Sequence, residues 1–283
     1  MTGRKVAVIT GASSGIGKAA ARALLDRGWR VIGVGRDPAR CAAAEAEMDH
    51  PAFTMLRGDM ALLAETVRVA DEIIVLTPRL DALLNNAGGV TAGLVITAEG
   101  NEATFAGNHL APFLLTKRLL PLLQATAKGQ PTGSVRIVGT SSEAHGYCPG
   151  MAWDNLNFAP DYTSGAAYCQ AKLANILFTR ELARRAAGDG IVASVINPGP
   201  VASNFWSHGD AAFQHRLDEI GDKAVTPEQA AATLVWLADA AEAAACNGQY
   251  FDKGIPADPA QAAQDDAAAA RLWDVSEKLV AGY

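Results

Sequence analysis

The chain has 283 residues, 49% of them hydrophobic, and carries 24 Lys and Arg against 30 Asp and Glu, a formal net charge of -6 at pH 7. Length and apolar content suit one large α/β domain with a substantial core, and two domains are unnecessary. The acidic balance lacks the overall basic footprint of a nucleic-acid binder.

From the N-terminus, Lys5-Val6-Ala7-Val8-Ile9-Thr10 predicts a short buried strand, and Gly11-Ala12-Ser13-Ser14-Gly15-Ile16-Gly17 leads from it into a helical run over Lys18 to Arg27. Glycines in such a turn allow tight backbone geometry and close approach of a phosphate, while the free amides of the helix start attract negative charge. A dinucleotide pyrophosphate fits there. The spacing is G-x-x-x-G-x-G rather than G-x-G-x-x-G, and an ordinary glycine-rich loop is the alternative for this motif alone. The second strand, ending at Val34, runs into Gly35-Arg36-Asp37-Pro38 and an alanine-rich helix, which makes Asp37 a natural N-cap with proline at the first helical position.

Phe53 to Arg57 predicts a third strand, after which Asp59 is a candidate cap for a helix from Ala61. Further strand-like runs begin near Leu80, Val135, Val192 and Gly248, with helical runs between most of them. This repeated βα order predicts an α/β fold over residues 1–283: a single Rossmann-type doubly wound parallel sheet with helices on both faces. Ligands in such sheets collect at the carboxyl ends of the strands near a topological switch, where Gly11, Ser142 and Pro198 are expected to meet.

Chemistry concentrates in Ala166-Ala167-Tyr168-Cys169-Gln170-Ala171-Lys172, whose helical spacing projects Tyr168 and Lys172 from one face. A phenol can donate a proton to a carbonyl oxygen, but its ordinary pKa of about 10 makes it sluggish near neutrality. A cation one turn away favours the phenolate, so Lys172 is expected to lower the Tyr168 pKa. His109 and His145 are set aside as general bases, because no fixed spacing to an acid suggests a triad or a metal site. The cysteines at 41, 148, 169 and 246 show no zinc-type pairing and are expected to be buried or free thiols.

In combination these motifs resemble the short-chain dehydrogenase/reductase family over nearly the whole chain. Thr10 to Gly17 matches its T-G-x-x-x-G-I-G cofactor turn, Asn85-Asn86-Ala87-Gly88 its N-N-A-G element, and Asn197-Pro198-Gly199 its loop beside the nicotinamide. Asn108, Ser142, Tyr168 and Lys172 follow the order of its catalytic tetrad. The segments Ala167 to Asn175 and Arg271 to Val280 are similar to the retinol dehydrogenase-like branch, whose name speaks of ancestry more than of substrate.

The resemblance implies that Tyr168 is the general acid for carbonyl reduction, that Lys172 also bonds the nicotinamide ribose, and that Ser142, rather than Ser141, holds the substrate oxygen. Asn108 would support a water-linked proton relay behind the lysine; by residue type alone it is equally a polar kink in a long helix. Gly11, Ser13, Ser14, Gly15, Ile16 and Gly17 would line the cofactor turn, Asp59 would contact the adenine, Asn86, Ala87 and Gly88 would approach the cofactor backbone, and Pro198, Gly199, Val201 and Ser203 would shape the nicotinamide loop. Gly35 stands where NAD-selecting relatives place an acid for the ribose diol, and Arg36 could clamp a 2′-phosphate, so NADP(H) is favoured over NAD(H). Asp37 is the competing NAD-selecting acid.

The expected activity is therefore NADPH-dependent reduction of a ketone or aldehyde, with NAD-dependent oxidation of a steroid- or retinol-type alcohol as one alternative and a non-catalytic, dinucleotide-responsive regulator as another. Tyr147, Met151, Trp153, Leu156 and Phe158 either form a wall of the substrate pocket or pin their loop to the core. Region 203–222, with Phe205, Trp206, His208, Phe213 and His215, is expected to be a substrate loop that accepts a bulky or ring-containing partner. The helical extension 257–283 carries an apolar stripe of Leu272, Val275, Leu279 and Val280 and is expected to pack on its own domain. No metal site is expected, and the family's dimers and tetramers leave a homo-oligomer open. No secretory signal precedes the first strand and no apolar run spans the roughly twenty residues a bilayer needs, so a cytoplasmic protein is expected.

Overall fold

A computed structural model describes residues 3–158, 161–201, 209–220 and 223–283, apart from the side chains of 216–220. Seven strands form where the sequence predicts them: β1 (Val6–Thr10), β2 (Arg30–Gly35), β3 (Phe53–Arg57), β4 (Ala82–Asn85), β5 (Val135–Thr140), β6 (Ile191–Asn197) and β7 (Tyr250–Asp252). Their order is β3-β2-β1-β4-β5-β6-β7, all parallel, and an antiparallel strand β8 (Ile255–Ala257) closes the far edge. The order reverses between β1 and β4, which opens a crevice beyond their carboxyl ends.

Alternation along each strand supplies two cores. Val6 and Val8 of β1 and Leu83 of β4 join one core, while Ala7, Ile9, Ala82 and Leu84 join the other. The first is covered by α3 (Leu63–Leu76), α5 (Ala111–Ala127) and α6 (Ser164–Arg185); the second by α1 (Gly15–Asp26) and α8 (Pro227–Asp239). Strands β1 and β6 are buried along their full length, as parallel strands covered on both faces must be. Each fully buried Leu, Ile or Val contributes about 1.5–3 kcal/mol relative to exposure.

Several local expectations need correction. Helix α1 starts at Gly15 rather than Lys18, so the last glycines of the turn already belong to its first turn. Helix α3 starts at Leu63, not Ala61: Asp59 accepts from the Ala61 amide at 3.0 Å, but the helix's first two amides are capped by Glu99, at 2.7 and 2.9 Å. Asp37 does cap α2 (Pro38–Met48), accepting from the Arg40 amide at 2.8 Å.

The C-terminal helix α9 (Asp266–Leu279) packs on α6. Its buried residues are Ala269, Leu272 and Ser276, followed by the buried C-cap Val280, whereas Leu279 in its last turn is exposed. Among the described residues no helix is long and apolar enough to cross a membrane and no cluster of three or more His, Cys, Asp or Glu could hold a metal.

Candidate active site

One cleft of about 640 Å³ runs along the carboxyl ends of the strands, and it gathers nearly all the expected site residues: Gly11, Ser13, Ser14, Gly15, Ile16, Arg36, Asp59, Asn86, Ala87, Gly88, Asn108, Ser142, Tyr168, Lys172, Pro198, Gly199 and Val201. Gly17 lies just beneath the turn. Ser203 lies outside the described residues, as do Phe205, Trp206 and His208.

At the β1 end the turn is held by close backbone approach. A Cβ on Gly17 would sit 2.4 Å from the Gly11 carbonyl, so α1 can press against the turn only with glycine there. Gly15, at the start of α1, lines the cleft with φ 53 and open space where a side chain would be. The Thr10 hydroxyl accepts from the amides of Asn86 and Ala87 at 3.0 and 2.9 Å, while Asn86 Nδ2 donates to the Thr10 carbonyl at 3.0 Å. The second motif is thereby bolted to the first.

A Cβ at Gly35 would meet Cys41 Sγ at 2.7 Å and the Ser13 side chain at 3.0 Å, so a larger residue there needs those side chains to shift. Arg36 is exposed at this end of the cleft, and Arg40, which sequence reasoning missed, lines it too. Arg40 stands in the first turn of α2, where Asp37 caps its amide.

At the β5 end, Thr163 caps α6 by accepting from the Ala166 amide at 3.1 Å, and the helix carries Tyr168 and Lys172 one turn apart. Lys172 is buried; its Nζ donates to the Thr140 carbonyl at 3.2 Å and lies 5.3 Å from the Tyr168 ring centroid. Burial pushes the ammonium down to about 8. Ser142 follows β5, its hydroxyl accepting from the Ala144 amide at 3.2 Å, and it hydrogen-bonds the Tyr168 phenol. Ser141 turns away and donates to the Lys172 carbonyl at 2.8 Å.

The expected lowering of the Tyr168 pKa by Lys172 does not govern this geometry. Tyr168 keeps partial exposure to the cleft, yet its surroundings are dense, and burial is the leading influence and pushes the phenol up, against a smaller downward pull from Ser142.

Asn108 occupies a π-helical turn, Ala106–Leu110, between the short helix α4 (Ala103–Phe105) and α5. Such a turn breaks the regular ladder and frees carbonyls for side chains. Asn108 Nδ2 donates to the carbonyls of Gly89 and Thr104, both at 2.7 Å, and its Oδ1 accepts from the Gly89 amide at 3.3 Å. Gly88 lies between it and the lysine: a Cβ there would be 2.6 Å from Asn108 Oδ1 and 3.1 Å from Lys172 Nζ. Helix irregularity and site residue are here the same feature.

Of the loop after Ser142, Glu143 lines the cleft, but the apolar residues do not: Met151, Trp153 and Leu156 pack against the core and pin the loop there, Tyr147 is exposed, and Phe158 does not line the cleft. The cleft mouth is instead tied by polar contacts: Tyr162 donates to the Thr91 carbonyl at 2.9 Å and Ser164 to the same carbonyl at 2.6 Å. From α7 (Ala211–Ile220), Phe213 sets its ring edge-on to Tyr168 at 5.7 Å between centroids, while His215 is exposed. Among the described residues the cysteines form no disulfide; Cys148 and Cys169 meet thiol to thiol, and that contact, with burial behind it, pushes the Cys148 thiol up.

The family model for short chain dehydrogenase matches residues 5–212. Retinol dehydrogenase 13 of Homo sapiens is 37% identical over 98% of this chain and 84% of its own length. A structure of an uncharacterized protein from Mycobacterium paratuberculosis superposes with a TM-score of 0.76 at 31% identity, over 98% of this chain and 93% of the other. The Pseudomonas aeruginosa RhlG/NADP active-site complex gives a TM-score of 0.70 at 27% identity, over 88% and 94%. With this likeness added to a sheet reversed at β1 and β4 and a cleft running from a glycine turn to a Ser-Tyr-Lys cluster, the chain belongs to the short-chain dehydrogenase family of oxidoreductases, in its retinol dehydrogenase-like branch.

Proposed function

We propose that the protein transfers hydride reversibly between NADP(H) and a carbonyl/alcohol pair, with reduction of a ketone or aldehyde as its working direction. The observation that carries this reading is the continuity of one cleft from Arg36 and Arg40, past the glycine turn, to Ser142, Tyr168 and Lys172. The residues fit a dinucleotide: the α1 start at Gly15, open where a side chain would be, suits a pyrophosphate, and the guanidiniums of Arg36 and Arg40 suit a 2′-phosphate. Lys172 and Tyr168 would hold the nicotinamide ribose.

The bound nicotinamide supplies the hydride. Ser142 donates to the substrate oxygen and fixes it beside the phenol, Tyr168 gives that oxygen its proton, and the nearby Lys172 charge compensates for the phenolate left behind. Asn108 braces the Gly88-Gly89 segment around Lys172 and backs the route by which the proton is replaced.

Similarity to retinol dehydrogenase 13 favours a second reading, NAD-dependent oxidation of a retinol-type alcohol. Fluorescence titrations with NADPH and NADH, on wild type and Arg36→Ala, separate the two. The first reading expects at least tenfold preference for NADPH, largely lost in the variant while NADH affinity holds; preference for NADH supports the second. Binding of neither would remove the dinucleotide reading altogether.

A further inference from the structure

Two histidines that take no part in the chemistry stand directly behind two of the proposed catalytic positions. His145, in the 3-10 turn Glu143–Tyr147 that Ser142 caps, is buried. Its Nδ1 lies 2.6 Å from the Ser142 carbonyl, and its Nε2 accepts from the Ala260 amide at 3.0 Å. An amide can only donate, so Nε2 carries no hydrogen and Nδ1–H is the donor to Ser142. One imidazole therefore joins the backbone of the serine to the segment after β8.

His109 neighbours Asn108 in the π-turn and is fully buried among Phe105, Phe113 and Phe178, at 5.1, 6.2 and 6.0 Å between ring centroids. Its Nε2 is 2.8 Å from the hydroxyl of Ser276, itself fully buried on α9. Trp273, one turn earlier on α9, stacks against Phe178 and meets Phe113 edge-on. Asn108 faces the Gly89 segment; His109 faces α9. A bulged helix turn is a weak support by itself, and a buried hydrogen bond with aromatic packing on its outer side fixes it.

We propose that His145 and His109 are positioning residues through which the C-terminal segment 257–280 holds Ser142 and Asn108 in their working geometry. The segment is then the outer half of the catalytic frame, although none of it lines the cleft. This rests on the tetrad reading above. Serine alignment affects the reacting oxygen more than the cofactor, so loosening it lowers kcat and leaves dinucleotide affinity in place.

The test uses the full chain, with NADPH and either all-trans-retinal or benzaldehyde as probe carbonyl. His145→Ala is expected to lower kcat about tenfold or more, with NADPH Kd within twofold of wild type, and His145→Asn to restore most of it by donating again to the Ser142 carbonyl. Ala260→Pro deletes only the amide donor, at a residue whose φ of -52 already suits proline, and is expected to lower kcat severalfold; it decides the matter should His145→Ala not fold. Ser276→Ala is expected to lower kcat about threefold, again at unchanged NADPH Kd.

A kcat within twofold of wild type in both His145→Ala and Ala260→Pro overturns the proposal. So does a loss of NADPH affinity equal to the loss of kcat with no rescue by His145→Asn, which marks a merely structural role. Undiminished turnover in Tyr168→Phe, or a wild type that binds NADPH and reduces neither probe, instead removes the tetrad reading, and the inference falls with it.

Discussion

The two ends of the cleft are built on different principles. At the β1 end the glycine turn is set largely by close backbone approach, with a Cβ added at Gly17 lying 2.4 Å from the Gly11 carbonyl, and the Thr10 hydroxyl and Asn86 side chain tie it to the next motif. At the β5 end the site is made of side chains on helices and loops, braced from behind by contacts distant in sequence such as Ala260 to His145 and Ser276 to His109. Backbone sites tolerate little and hold a common ligand; side-chain sites can be re-aimed. The two ends are therefore expected to answer differently to substitution.

Substitutions at each end can sharpen or break that contrast. The largest effect is expected for Tyr168→Phe, which keeps the ring against Phe213 and removes the acid: turnover should fall by about 10²–10⁴-fold while NADPH affinity changes less than threefold, measured by steady-state kinetics beside fluorescence titration. Gly17→Ala should do the reverse. Its Cβ meets backbone rather than a mobile side chain, so the turn must shift at a cost of about 1–3 kcal/mol, seen as a tenfold or greater loss of NADPH affinity and a lower Tm. Were Gly17→Ala to lose only kcat, the division between the two ends would fail.

A third effect is electrostatic. Lys172 is held down to about 8 in the folded chain against an ordinary value of 10.5, so between those values the unfolded chain binds the extra proton and stability rises with pH. The contribution is about 1.4 kcal/mol per pH unit at most and should vanish in Lys172→Met, as followed by urea unfolding of the cofactor-free protein at pH 8 and pH 10. The smallest effect belongs to Leu279→Ser, on the outward face of α9, which should alter unfolding free energy by less than about 0.5 kcal/mol; a larger loss would show that this face is covered.

The contrast also governs how far the sequence could be read. Close backbone approach leaves glycines at fixed spacing, and fully buried parallel strands leave unbroken apolar runs, so seven strands, the turn and the N-N-A-G element were legible. Tyr168 and Lys172 were legible because helical periodicity puts them on one face. The balance between them was not: a nearby charge can be named from spacing, whereas burial is known only once the chain is folded, and burial dominates the phenol. Glu99 capping α3 and the Ala260 amide serving His145 likewise left no local pattern, because one acts across 36 residues and the other offers only a backbone N–H in an alanine-rich stretch. Leu279 was misread as inward because the apolar stripe of α9 is interrupted by a serine that has a buried partner.

The crowding around Gly35 bears on the protein's prospects for change. An aspartate introduced there, the simplest substitution toward a diol-binding site, would drive its Cβ against Cys41 and Ser13 together, so Cys41 must rotate away and Ser13 must yield before the carboxylate can reach the cleft. An engineered carboxylate at this position is therefore expected to fit better when Cys41 and Ser13 are made smaller at the same time.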